Sequence, residues 1–168
     1  MADPAPDADP TPWLTKAISY IGVHEVGSSN FSPQIAAWEK EQGFKIEPEP
    51  WCAIFVGGCL VETGREGSGT EWALDYAQWG QELDGPAVGA IVPIKRPGGG
   101  HVFFVLGKDS IGRIVGVGGN QSDQVSRAAF PLSRINHGYR WPADDPLPDE
   151  TGMDSLPVIN ADGSTKED

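Results

Sequence analysis

The sequence predicts an α+β domain on three observations. Its first half carries apolar residues at helical spacing between capping and stop residues, its second half breaks into short β-rich runs separated by glycines, and all the helices precede all the strands. That order places N-terminal helices on one side of a central, meandering antiparallel sheet.

Each element has a local cause. Thr11 can cap a helix with Pro12 at its first position, and Trp13, Leu14, Ala17, Ile18 and Ile21 recur at helical spacing until Gly22. In "SSNFSPQIAAWEKEQG" Ser32 is the cap, Pro33 opens the first turn and Gly43 stops the helix. A third helix runs from about Trp51 to Gly64, and a fourth is predicted in "TEWALDYAQWG", from Thr70 to Gly80. After Gly85 come the strands "GAIVPI", "HVFFVLG", "RIVGVGG", "QVSRAAF" and "GYRWP". Pro93 removes a donor from the first of these, so that strand is expected at an edge or bulged.

A chain of 168 residues suits one domain with one core. The formal charge of −12 is concentrated at the ends. Residues 1–12 hold Asp3, Asp7 and Asp9 with no base, and residues 143–168 hold eight acids against Lys166, so the body carries only −2. Both ends, 1–12 and the acidic, proline-rich 143–168, are expected to be disordered around a folded domain at 13–142. A nearly neutral body offers no basic stripe to nucleic acid. Residues "MADPAPDADPTP" lack a signal-like apolar run, and no run in the chain reaches membrane-span length. Synthesis in the cytoplasm and no membrane insertion are therefore expected.

Two cysteines lie in "EPEPWCAIFVGGCLVETG", and the chain has no others. Seven helical residues separate their Cα atoms by about 10 Å, beyond the roughly 7 Å limit for a disulfide. No CxxC or HxxxH accompanies them, so a structural zinc is not expected, and the reading calls for no metal or organic cofactor. Cys52 stands at the helix N-terminus, where free N–H groups and the dipole lower a thiol's pKa. Cys59 sits two turns further in, as a small core residue.

A cysteine nucleophile needs a base, and the base needs a polar group to orient it. Of the three histidines, His24 lies in "GVHEVG", His137 in "INHGY", and His101 opens a strand directly after "RPGGG". His101 is the best candidate base. "VGVGGNQSD" then offers Asn120 as the orienting residue, with Gln121 as its substitute. Trp51, Trp72 and Trp79 are candidates for a cleft wall, with core packing as the competing role. Glu25 and Asn30, in the glycine-bearing turn after the first helix, are candidates for its border.

Taken in order, "ISYIGVHEVGSSN", "PWCAIFVGGCLVETG", "WALDYAQWG", "GAIVPIKRPGGGHVFFVLG", "VGVGGNQSDQV" and "GYRWP" resemble the phage-type cell-wall hydrolases of the NlpC and CHAP superfamily, whose core is papain-like. The resemblance covers about 13–142. It implies a peptidoglycan amidase or endopeptidase with Cys52 as nucleophile, His101 as base and Asn120 orienting it. Trp51, Gln121, Trp79 and Glu25 are then candidates for substrate or oxyanion contacts. One departure stands out: many CHAP members carry a glutamate where this chain has Gly118.

The implied partner is peptidoglycan, met by a monomer acting in the periplasm or on the wall. An immunity protein, or an export or holin system, is the companion such an enzyme calls for. An endolysin, a secretion-system effector and a tail-associated enzyme all fit. Two alternatives remain open, a non-catalytic module that binds wall or protein on the same fold, and an intracellular thiol amidohydrolase.

Overall fold

In the computed structural model, which describes residues 9–27 and 29–159, helices and strands divide where the sequence divides them. Proline opens both α1 (Pro12–Ser19) and α2 (Pro33–Glu41), because its ring presets φ and its missing N–H would lack an intrahelical partner there. Ser32 caps α2, accepting from the Ile35 N–H at 3.2 Å. The Thr11 side chain makes no cap bond. Asp9 instead accepts from the Thr11 N–H at 2.9 Å and from the Thr15 hydroxyl, placing a carboxylate at the positive end of α1.

Helix α3 (Cys52–Glu62) is apolar on every side, so it has to be surrounded, and Cys52 through Leu60 are all buried. α1 and α2 flank it, and β3 and β4 lie beneath it. Its first turns anchor an aromatic cluster. The Trp38 and Phe55 rings meet edge to face at 5.3 Å, Trp38 stacks near Trp51 at 6.1 Å, and Phe55 reaches Phe104 of the sheet at 6.0 Å. Such pairs each add about 0.5–1.5 kcal/mol beyond their buried area.

Six strands form one antiparallel sheet: β1 (Gln81–Leu83), β2 (Ile91–Arg96), β3 (Gly99–Lys108), β4 (Ile114–Gln121), β5 (Gln124–Phe130) and β6 (Tyr139–Trp141), in the order β1-β6-β2-β3-β4-β5. The predicted α+β class and antiparallel sheet are what the molecule has. Among the described residues no helix is long and apolar enough to cross a membrane.

Four local expectations change. The predicted fourth helix is a 3₁₀ segment, Ala73–Gln78, whose buried residues Ala73 and Tyr76 recur every three residues, as three residues per turn demands. Strand β1 was not in the sequence pattern, since three residues cannot display an alternation.

Pro93 lies inside the sheet, because β2 runs between β6 and β3. Ala90 accepts from the Val105 N–H, so even-numbered residues of β2 bond β3 and odd-numbered ones face β6. β6 pairs with β2 only at Ile91, which makes β2 a local edge by the time the chain reaches Pro93.

Residues 143–159, expected to be disordered, pack along the body. Arg65 donates twice to Asp145, at 2.9 and 2.6 Å, and the Trp141 ring N–H donates to Pro146 O at 2.9 Å. Leu156 is buried, and Ile159 N donates to Lys108 O at 2.8 Å. A few separate anchors hold this segment, and composition does not register them. The remaining parts of the two expected disordered ends, 1–8 and 160–168, lie outside the described residues.

Candidate active site

Cys52 is the first residue of α3, and His101 stands near the start of β3, in the register pair with Ile94. α3 packs on β3 and β4, which brings the helix mouth to the β2–β3 hairpin: the Cys52 thiol points to Gly100 O at 4.0 Å, a long contact. Gly119 allows the approach from β4, since a Cβ there would lie 2.7 Å from Phe55 Cβ and 2.8 Å from the Trp51 ring.

A cleft of about 620 Å³ opens at this junction, with Cys52, Glu49, Glu71, Trp72, Arg96 and Asn120 among its walls. A second recess of about 300 Å³ adjoins it, sharing Arg96, Pro97, Asn120 and Ser122 and adding His101, Gln121 and Arg134. Cys52 thus faces one compartment and His101 the other.

The orientation of His101 follows from a chain of bonds. Gln121 Nε2 donates to Ser126 O at 2.7 Å, which turns its Oε1 toward the imidazole. Oε1 lies 2.8 Å from His101 Nε2, and an amide oxygen can only accept, so Nε2 carries the proton. The lone pair is then on Nδ1, which is buried and has no hydrogen-bond partner. Phe103 and Phe130 stack on each other at 4.2 Å, and the imidazole packs beside the pair, 5.9 and 5.8 Å from their ring centroids.

Gln121, then, holds His101, and Asn120 does not. The two are neighbours at an irregularity between Gly118 and Gln121, where Asn120 has φ 61°. The Asn120 side chain borders both compartments and makes no hydrogen bond to the imidazole. Gly118 acquires a reason as well: a Cβ there would sit 2.7 Å from Gln121 Oε1, so the absent side chain is what lets Gln121 fold back onto His101.

Burial sets the resting charge state. Desolvation pushes the Cys52 thiol up, only partly offset by the Val102 and Ala53 backbone N–H groups and by Arg96. This reverses the lowered thiol expected from the helix N-terminus, because the residue is only 5 % exposed and the loss of water outweighs the dipole. His101 is lowered to about 4, first by desolvation and then by Arg96 and Arg134, against the Gln121 bond that supports its charged form. At neutral pH the site therefore holds a neutral thiol and a neutral imidazole. No hydrogen bond joins them among the described residues.

Of the other candidates, Trp72 borders the cleft and is 70 % exposed. Trp51 is wholly buried, its ring N–H donating to Glu25 Oε2 at 2.8 Å, while Glu25 Oε1 accepts from Asn30 N at 2.8 Å. Both Trp51 and Glu25 brace the helix mouth from behind and touch no cleft surface. Trp79 packs on Tyr76 and donates to Glu66 O at 3.2 Å, away from the cleft. His24 and His137 border neither compartment, and Cys59 is free and buried. Among the described residues, no group of three or more His, Cys, Asp or Glu side chains is placed to hold a metal.

Sequence reasoning passed over Glu49, Glu71, Arg96 and Arg134. Glu49 and Arg96 are within five residues of Cys52 and His101, which is the signal that was available. Glu71 and Arg134 come from distant segments and had none. No protein-family model, curated protein or solved structure matches the chain.

Proposed function

We propose that this chain is a cysteine-dependent peptidoglycan hydrolase, an amidase or endopeptidase on a papain-like fold of the NlpC and CHAP type. One observation carries the reading: the buried, unpartnered Nδ1 of His101, on a ring whose Nε2 is committed to Gln121, beside a cleft walled by Cys52. A ring so held is a proton acceptor with one free nitrogen, which is the base a thiol nucleophile needs.

The resting pair is neutral, so the proton moves during attack. His101 Nδ1 takes the Cys52 proton as sulfur bonds the carbonyl carbon of the scissile amide. The oxyanion faces the unpaired N–H groups of the first turn of α3. Gln121 Oε1 accepts from Nε2 throughout and steadies the imidazolium. His101 then returns the proton to the amine as the C–N bond breaks, and water, activated by the same nitrogen, hydrolyses the thioester. These steps use only Cys52, His101, Gln121 and backbone N–H groups. The reaction takes place in the periplasm or on the wall, after release by a holin, export or tail device.

Wild type, Cys52→Ala and Cys59→Ala incubated with purified peptidoglycan test the reading, with mass spectrometry of the digest naming the bond. Full cleavage by Cys52→Ala rejects it. The raised thiol favours a second reading, a module that binds wall without turnover. Tight sedimentation of wild type with intact peptidoglycan and no released amine would select that module. Iodoacetamide adds a check: Cys52 is expected to label slowly at pH 7 and faster above pH 9, and Cys59 to stay unlabelled while the protein is folded.

A further inference from the structure

The two compartments carry opposite charge. On the Cys52 side, Glu49 and Glu71 wall the cleft, and among the described residues no lysine or arginine pairs with either. Glu71 Oε2 is buried without a hydrogen bond. Next to them Glu39 is 0 % exposed. The proton affinities of Glu39 and Glu71 are raised, first by desolvation and also by acidic neighbours including Glu47 and Glu49, with the Glu47 backbone N–H opposing at Glu39. Lys45 reaches only Glu47, at 3.8 Å. A carboxylate shut from water beside other carboxylates is costly to keep without a cation.

On the His101 side the sign reverses. Arg96, on the hairpin between β2 and β3, borders both compartments and makes no hydrogen bond or ion pair among the described residues. Arg134 borders the second compartment alone, with its guanidinium over Phe130 at 5.9 Å and a long bond to Lys95 O at 3.3 Å. Among the described residues neither forms a salt bridge. Both make His101 harder to protonate, so their field reaches the catalytic ring.

We infer that the cleft selects a dipolar peptide, with an ammonium on the acyl side of the scissile amide, received by Glu49 and Glu71, and a carboxylate on the leaving side, received by Arg96 and Arg134. The direction rests on the hydrolase reading. The histidine that protonates the leaving nitrogen faces the arginine compartment, so the leaving fragment enters there and the acyl fragment stays with Cys52. A stem peptide with a diamino acid followed by a terminal carboxylate has this charge order.

The test measures binding without turnover, using Cys52→Ala and the peptide N-acetyl-L-Ala-γ-D-isoglutaminyl-L-Lys-D-Ala, whose only charges are the lysine ammonium and the terminal carboxylate, by calorimetric titration. Three forms are compared: the parent, the Nε-acetyl-lysine form and the C-terminal amide. Acetylation is expected to weaken binding about threefold to tenfold, and to have no effect once Glu49→Gln and Glu71→Gln are added. Amidation is expected to weaken it by a similar factor, and to have none once Arg96→Gln and Arg134→Gln are added. Circular dichroism confirms that each variant is folded. Equal binding of the three forms, discrimination that survives the substitutions, or no binding of any form overturns the inference. The hydrolase reading is judged separately, by wild-type cleavage of peptidoglycan, so a failure of one is distinguishable from a failure of the other.

Discussion

The two ends of α3 carry the same thiol at nearly the same burial, 5 % exposed at Cys52 and 0 % at Cys59, and desolvation pushes both up. They differ in what surrounds the sulfur. At Cys52 the next contributions, from the Val102 and Ala53 N–H groups and Arg96, all pull the thiol down. At Cys59 the nearest charge, Glu62, pushes it further up, with Lys16 opposing. Beyond Cys52 lies a cleft, with an oriented imidazole in the adjoining recess, whereas Cys59 faces packed core. Burial alone therefore does not separate the two thiols; access to a cavity does.

The comparison can be broken most directly by deleting each sulfur. Cys52→Ala is expected to lower peptidoglycan cleavage about 10³-fold or more with little change in stability. Cys59→Ala should leave cleavage within about twofold and cost about 1 kcal/mol in urea unfolding, the price of a small cavity. Equal losses of cleavage in both variants would erase the distinction between the two ends.

The next effect is a pH dependence at the cleft end, opposite in sign to that of Glu41, which desolvation and Glu62 raise to about 7 at the Cys59 end. An unfolded His101 titrates near 6.5 and the folded one at about 4, so between those values the unfolded state binds more protons. The His101 contribution to stability is thus fully present above pH 6.5 and declines as pH falls toward 4, by up to about 3 kcal/mol, while Glu41 contributes with the opposite slope. Chemical denaturation of wild type and His101→Gln at pH 4.5 and 7 isolates it as the difference between the two slopes. His101→Gln is expected to lose less stability, or to gain more, on acidification, and Cys59→Ala should keep the wild-type slope.

A smaller effect separates the neighbours on β4. Gln121→Ala should lower kcat about tenfold with KM little changed, and Asn120→Ala should alter kcat less than about threefold. Gln121→Glu restores an acceptor and adds a charge that favours imidazolium, so it is expected to recover part of kcat and to move the acid limb of the pH profile upward. An Asn120→Ala variant slower than Gln121→Ala would return the orienting role to Asn120.

The smallest contrast lies in the aromatic walls. Trp72→Ala should raise KM about threefold without a change in melting temperature, since the ring is 70 % exposed at the cleft. Trp79→Ala should lower stability and leave KM unchanged, because its ring packs on Tyr76 instead.

Much of this was legible in the sequence because it depends on local chemistry. Prolines and Ser32 mark helix starts, glycines separate the strands, an apolar run with no polar face predicts a surrounded helix, and the scarcity of cysteine and histidine narrows the candidate nucleophile and base to Cys52 and His101. The sequence by itself also located the charge at the chain ends. What it could not decide concerns direction and neighbours across long separations. Whether Asn120 or Gln121 meets the imidazole depends on which adjacent residue turns inward at an irregular strand end, and that is set by Gly118, Ser126 and the sheet register.

Tertiary packing alone placed Trp51 in the core and Trp72 on the cleft, although both are tryptophans beside helical segments. It also drew 143–159 onto the body through a few anchors, and it raised the Cys52 thiol where local reasoning lowered it. The physical reason is common to all three. Helix dipoles, caps and periodicity act within a turn or two of chain, whereas desolvation and side-chain partnership depend on everything that folds up against a residue.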